Sequence, residues 1–193
     1  MRVLLVHAHP VEDSYNNALR ARILAALAPR HTVDLLDLYA EGFNPVMSRE
    51  ERLGYHDIPA NIAPVRPYVE RLMAAEALVF CYPAWSFGPP AILKGWLDRV
   101  MLPGVSFHIH PDGSVTGGLG HLQKLGAVVT FGQPWLRVTL MGNYPRKLVT
   151  RYLRKNIGMH KPVVFRAHYN MNASTPESRA AFLDDVGKAM ATF

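Results

Sequence analysis

Three short stretches of this sequence gather side chains able to do chemistry. "HAHPVEDSYNNA" places His9, Ser14, Asn16 and Asn17 around the expected start of a helix. Free backbone N–H groups and the helix dipole attract an anion there. "YPAWSFG" ends an apolar run with Pro83, Ala84, Trp85, Ser86 and Phe87 before Gly88. Its aromatics can wall in a flat heteroaromatic ring while backbone N–H groups from Trp85 to Gly88 face it. Fixed dipoles of that kind stabilise negative charge left on a ring by reduction. "TFGQPWLR" adds the Thr130 hydroxyl, close approach at Gly132 and the Gln133 amide. Plainer readings stand beside these: Asp13 or Ser14 as a helix cap, and Trp85 and Phe87 as core or dimer-interface aromatics.

Such stretches act together only if the fold brings them together. "RVLLVHAH" reads as a strand and a helix follows from Tyr15 to Leu27, with Leu19, Ile23 and Leu27 on one stripe. "TVDLLDLY" is a second strand. Residues 41–64 form an irregular connection containing at most a short helix near Arg49 to Leu53, and a helix runs from about Val65 to Ala75. A third strand covers Ala77 to Tyr82 and a helix runs from Pro90 to Val100. Residues 103–124 are Gly-rich, and "LGAVVTFG" is a fourth strand. A helix from Pro145 to Asn156, a fifth strand "PVVFRAHY" and a last helix from Pro176 to Met190 complete the chain. Apolar strands alternating with helices predict an α/β domain, its parallel sheet covered on both faces. Five units suit the flavodoxin-like order 2-1-3-4-5, in which ligands bind beyond the carboxyl ends of the strands. The turns after strands 1, 3 and 4 are the three chemical stretches.

The 193 residues, 49% of them apolar, predict one domain over 1–193. The lack of a membrane-length apolar run, and of a leader before Arg2, predicts a cytoplasmic protein. Cys81, the single cysteine, falls in an apolar run and reads as a core residue. The net charge of +6 is concentrated: no acid occurs between Asp112 and Glu177, an interval with nine Lys and Arg residues. That field suits an anionic nucleotide, a membrane surface, or simply a solvated helix face near 146–155. Without a recognisable binding module, nucleic acid is not expected. The first turn lacks both G-x-G-x-x-G and G-K-[ST], which removes the dinucleotide fingerprint and the P-loop. His108 and His110 in "FHIH" share one side if extended, but no third ligand follows at metal spacing, and no metal is expected.

"AHP" with "SYNNAL", "YPAWSFGPPAILKGWLDRVMLPG", a Thr-x-Gly turn and "DLYAEGFNPVMSREE" together resemble the NAD(P)H quinone reductases of the flavodoxin-like fold. Relatives of that family include ancillary subunits of potassium efflux systems. The resemblance implies FAD, with FMN as the alternative, and NAD(P)H passing hydride through the flavin to a quinone in a shared pocket. It implies His9, Ser14, Tyr15, Asn16 and Asn17 at the phosphates and ribityl chain, Pro83, Ala84, Trp85, Ser86 and Phe87 along the ring, and Thr130, Gly132 and Gln133 at its pyrimidine side. Tyr144 in "GNYP" is the counterpart of a catalytic tyrosine that stabilises charge on the flavin, and a homodimer is implied. Aromatics in similar enzymes reach the partner's pocket from the position of His108 and His110. The usual Thr-Thr-Gly-Gly turn is here Thr130, Phe131, Gly132, Gln133. The other functional classes left open are an ancillary subunit with a membrane-protein partner and a flavodoxin-type electron carrier.

Overall fold

The computed structural model describes all residues 1–193. Seven strands form: β1 (Arg2–His7), β2 (Thr32–Asp37), β3 (Ala77–Ala84), β4 (Phe107–Ile109), β5 (Val115–Gly117), β6 (Lys124–Phe131) and β7 (Val163–His168). Five of them make one parallel sheet in the order β2-β1-β3-β6-β7. This is the expected 2-1-3-4-5 order, with the small antiparallel hairpin of β4 and β5 inserted before the fourth core strand.

Strand alternation divides the core into two layers. On one face Leu4, Val6, Leu78 and Phe80 are covered by α3 (Arg66–Ala74), α4 (Ala91–Val100) and the helical segment after residue 143. On the other, Val3, Leu5, Val79 and Val128 lie under α1 (Tyr15–Leu27) and α8 (Pro176–Ala191). Leu19, Ile23 and Leu27 recur every fourth residue and supply the buried stripe of α1. Ser14 starts that helix, its Oγ accepting the Asn17 N–H at 3.2 Å.

The connection over 41–64 is tied down through α2 (Arg49–Leu53), whose Ser48–Glu51 capping box is complete. Glu51 also takes the Arg99 guanidinium of α4 at 2.6 Å. Gly95 of α4 lies directly on the Pro45 backbone, leaving no room for a side chain. Trp96 beside it is fully buried, edge-on to Phe80.

The helical segments between β6 and β7 differ from the sequence expectation. A short helix α5 (Trp135–Leu140) follows β6 where only a turn is expected, because Pro134 starts a run in which Val138 alone is buried. The helix expected over 145–156 is composite: α6 (Tyr144–Lys147), a π-helical stretch (Leu148–Leu153) and α7 (Arg154–Ile157). No helix is long and apolar enough to cross a membrane.

Candidate functional site

The carboxyl ends of β1, β3 and β6 meet as neighbours in the sheet, and the three chemical stretches leave from there. On the α1 face the core turns polar at this level. Asp37, His7 and Cys81 stand in register across β2, β1 and β3, and Pro83, Thr130 and His168 in register across β3, β6 and β7. The first turns of α1 sit on this belt and bond to it. Arg20 pairs with Asp37 at 2.6 Å, and Asn16 Nδ2 donates to Thr130 Oγ1 at 2.8 Å, both residues being buried. Tyr15 packs edge-on to His168 and donates its hydroxyl to the Arg179 carbonyl at 2.8 Å. Polar contacts specify geometry where apolar ones only provide area, so the start of α1 is held in one place relative to β6.

Burial sets the protonation of the belt. It pushes the Cys81 thiol up to about 12 and the Tyr15 phenol to about 12, against the weaker opposing charges of Arg20 and Arg179 respectively. It lowers His7 and His168, which burial therefore favours as neutral imidazoles. Cys81 is thus an inert core thiol.

Above the belt lies a depression of about 280 Å³ lined by His9, Ser14, Tyr15, Asn16, Pro83, Ala84, Trp85, Thr130 and Gly132. Nine of the residues singled out from the sequence share this wall. The N–H groups of Tyr15 and Asn16, at the first turn of α1, have no protein partner. They are the donors that an anion would use. His9 sits edge-on to Trp85, ring centroids 6.0 Å apart, which links the anion end of the depression to its aromatic end.

An adjoining hollow of about 330 Å³ is lined by Ala84, Trp85, Ser86, Phe87, Phe131, Gly132, Gln133 and Val138. Its rim is a tight turn in which Trp85 N–H and Gly88 N–H bond each other's carbonyls at 2.9 Å. These two donors are therefore spent inside the turn. That corrects the expectation that all four N–H groups from Trp85 to Gly88 face a ligand; only those of Ser86 and Phe87 have no protein partner. Ser86 and Phe87 hold φ of 49° and 61°, the left-handed region that suits a two-residue turn but strains a residue with a side chain. Backbone strain of this kind is retained where the surroundings impose it, often at ligand sites. Phe87 packs partly on the core, while Trp85 is 44% exposed and is not a core residue.

Three predicted residues behave otherwise. Asn17 is buried with its Nδ2 donating to the Val11 and Glu12 carbonyls at 2.9 and 2.7 Å, so it shapes the loop and does not line the depression. Gln133 lines the hollow, but its Oε1 accepts from Arg137 at 2.9 Å, leaving only the amide N–H₂ for a ligand. Tyr144 lies in a separate groove with Lys94, Leu97, Asp98, Lys147, Leu148, Arg151 and Tyr152. Its phenol adds to the upward push that burial gives Tyr82 near the end of β3. His108 and His110 are exposed, and β4 stops at Ile109, so only the first lies in a strand; His110 Nε2 is 2.9 Å from Thr116 Oγ1.

Met171 and Asn172 line the depression from the turn after β7, and sequence reasoning missed them. Asn172 fills the space beside Gly132, 3.3 Å from where a Cβ would stand. No local signal marks them; only the pairing of β7 with β6 brings that turn in. Phe131 is buried and stacks on Tyr169 with centroids 4.9 Å apart, so it closes the floor of the hollow.

Among curated proteins, an uncharacterized NAD(P)H oxidoreductase of Escherichia coli, YcaK, is 34% identical over 108 residues, 55% of each chain. NAD(P)H dehydrogenase [quinone] 1 of Rattus norvegicus is 32% identical over 123 residues, 55% of this chain and 45% of its own. The chain thus spans about half the length of these curated relatives. Among solved structures, Smu.1420 from Streptococcus mutans superposes with a TM-score of 0.88 over 100% of both chains at 26% identity. The family model described as the flavodoxin-like fold matches residues 1–190, and the observed strand order agrees with it: this chain belongs to that family.

Proposed function

We propose that the chain is an NAD(P)H-dependent flavin oxidoreductase that passes two electrons to quinones or similar electrophiles. One observation carries this reading. A cradle with free N–H groups at a helix start joins, through His9 and Trp85, a hollow rimmed by two further free N–H groups and walled by aromatics. A molecule with an anionic tail and a flat ring that gains negative charge fits both parts. The names of the curated relatives agree with it.

When bound, a flavin supplies the two-electron chemistry between a nicotinamide and a quinone. The rest is the work of this chain's residues. Tyr15 and Asn16 N–H, with His9 and Ser14 beside them, hold the phosphate end. Ser86 and Phe87 N–H place fixed dipoles at the ring, and these stabilise added charge without reorganisation. Trp85, Phe87 and Phe131 exclude water from one side. Thr130, whose Oγ1 accepts from Asn16, keeps its own hydroxyl proton for a ring acceptor. Gln133 offers its remaining amide protons at the same edge. Tyr144 stands outside both hollows, so a proton-donating role for it requires a contact that a single chain does not make. The homodimer implied by the family resemblance is one way to supply that contact.

The test is a visible spectrum of the purified protein followed by anaerobic addition of NADPH. Bleaching that recovers when a quinone is added supports the reading, and chromatography of the heat-released cofactor decides between FAD and the smaller FMN. A bound flavin that NAD(P)H fails to reduce turns the protein into an electron carrier. Absence of flavin binding removes the reading.

A further inference from the structure

Beneath the anion cradle lies a set of buried polar atoms with no partner in the chain. His7, at the end of β1, is fully buried, and neither its Nδ1 nor its Nε2 makes a hydrogen bond. Asn17 Oδ1 and Arg20 Nε, on the first turns of α1 above it, are buried and unpaired in the same way. Most buried polar atoms in folded proteins are bonded, and each exception has a cause. Both α1 residues act on the His7 ring, so here one cause serves for all of them.

These atoms connect to the cradle through one chain of contacts. Asn17 Nδ2 ties down the Val11 and Glu12 carbonyls at 2.9 and 2.7 Å. Val11 N–H in turn donates to His9 Nδ1 at 3.1 Å, which puts the proton of a neutral His9 on Nε2, free for an anion. The charged and titratable groups around His7 are Asp37 in register beside it on β2, Cys81 in register on β3, Arg20 on α1 and His9 at the cradle. Burial is the largest influence on the ring and keeps it neutral in the free chain; Asp37 and Asn17 favour the imidazolium, while Arg20 and His9 oppose it. Cys81 stays a neutral thiol. A negative charge added in the cradle can only move this balance toward the imidazolium.

We propose that His7 is a positioning residue for the cradle: an anion bound there draws one proton from solvent onto the His7 ring, which then donates to Asn17 Oδ1 and fixes the loop over residues 9–13 around the anion. The inference rests on the flavin reading, since the anion is the phosphate end of that cofactor. A neutral imidazole has one N–H, whereas an imidazolium has two, and Asn17 Oδ1 and the Asp37 carboxylate are the acceptors beside it. Hydrogen bonds to an ionised donor are stronger than neutral ones, so the loop is held more firmly once the ring is charged. Anion binding and proton uptake are then linked, and affinity rises as pH falls.

FAD and FMN are titrated into the flavin-free protein between pH 8 and 5, with riboflavin, which has no phosphate, as the control. His7→Gln keeps hydrogen-bonding groups at this position but does not titrate. The ratio of wild-type to variant affinity cancels the ionisation of the ligand and of His9. It is expected to rise by about tenfold over this range for FAD and FMN, corresponding to a move of about one pH unit in the His7 midpoint, and to stay constant for riboflavin. Calorimetry in buffers of different ionisation enthalpy then finds a larger proton uptake in the wild type than in His7→Gln. Nitrogen NMR of the unaltered protein follows the His7 ring itself, whose titration midpoint moves up when FMN binds. An unmoved His7 midpoint, equal pH dependence in wild type and variant, or the same dependence with riboflavin overturns the proposal and leaves the flavin reading standing. Failure of both FAD and FMN to bind removes that reading and the proposal with it.

Discussion

The Asn16–Thr130 bond is the contact that fixes the start of α1 over the tip of β6, and removing it tests whether that placement makes the anion cradle. Asn16 is 4% exposed and Thr130 5%, so Asn16→Ala leaves a buried hydroxyl oxygen without its donor. An unsatisfied buried group costs about 1–3 kcal/mol. At about 2–4 °C per kcal/mol for a chain of this size, a loss near 2 kcal/mol lowers the thermal midpoint by roughly 4–8 °C. Thr130→Val leaves the Asn16 amide unpaired and falls in the same range. The double variant removes both ends and loses about 1 kcal/mol less than the sum of the single losses. Thermal unfolding without flavin gives this cycle, and flavin titration gives the second readout. Both single variants weaken flavin binding, whereas Ile23→Val, two turns along α1, costs about 1 kcal/mol and leaves affinity unchanged. Additivity within about 0.3 kcal/mol, or an affinity loss equal to that of Ile23→Val, would refute the argument that this bond places the cradle.

Three other outcomes are expected. Ser86→Gly relieves a left-handed residue and raises the midpoint by about 2–4 °C, equivalent to about 1 kcal/mol, read by calorimetry on the flavin-free protein. Trp85→Ala, at a side chain 44% exposed, keeps the midpoint within about 2 °C while turnover with NADPH and a quinone drops; a large fall in midpoint with normal turnover would put the indole in the core. Burial lowers His7, so the unfolded chain binds the proton more readily and stability falls as pH drops from 6.5 toward the folded value, then levels off. In denaturant titrations between pH 7 and 5, His7→Leu makes that dependence shallower by up to about 1.4 kcal/mol per pH unit, and an unchanged slope contradicts the assignment.

Much of this architecture is legible in the chain because the signals are local. Leu19, Ile23 and Leu27 recur every fourth residue, and "LLV", "LVFCY" and "AVV" are apolar on both strand faces; such patterns admit few alternatives. In such folds ligands sit at strand tips, which singles out the three turns, and nine residues of these turns line one depression. Helix α5 was not legible, because a strip of exposed Trp and Leu lacks the buried stripe that marks an amphipathic helix. The hairpin of β4 and β5 was too short to show a period.

Residue types and spacing determined the elements and their order, which depend on interactions a few residues long. Only the tertiary structure decided which polar groups are already spent. Asn17 is consumed by its own loop, and Trp85 and Gly88 N–H by each other. Met171 and Asn172 come to the wall, and Tyr144 is placed in another groove, through the pairing of β7 and the turn of the chain after α5. Hydrogen-bond partners and neighbours across a sheet are fixed by register and packing over distances of up to 164 residues along the chain, as in the bond from Tyr15 to the Arg179 carbonyl. No spacing within a single stretch encodes such a partner.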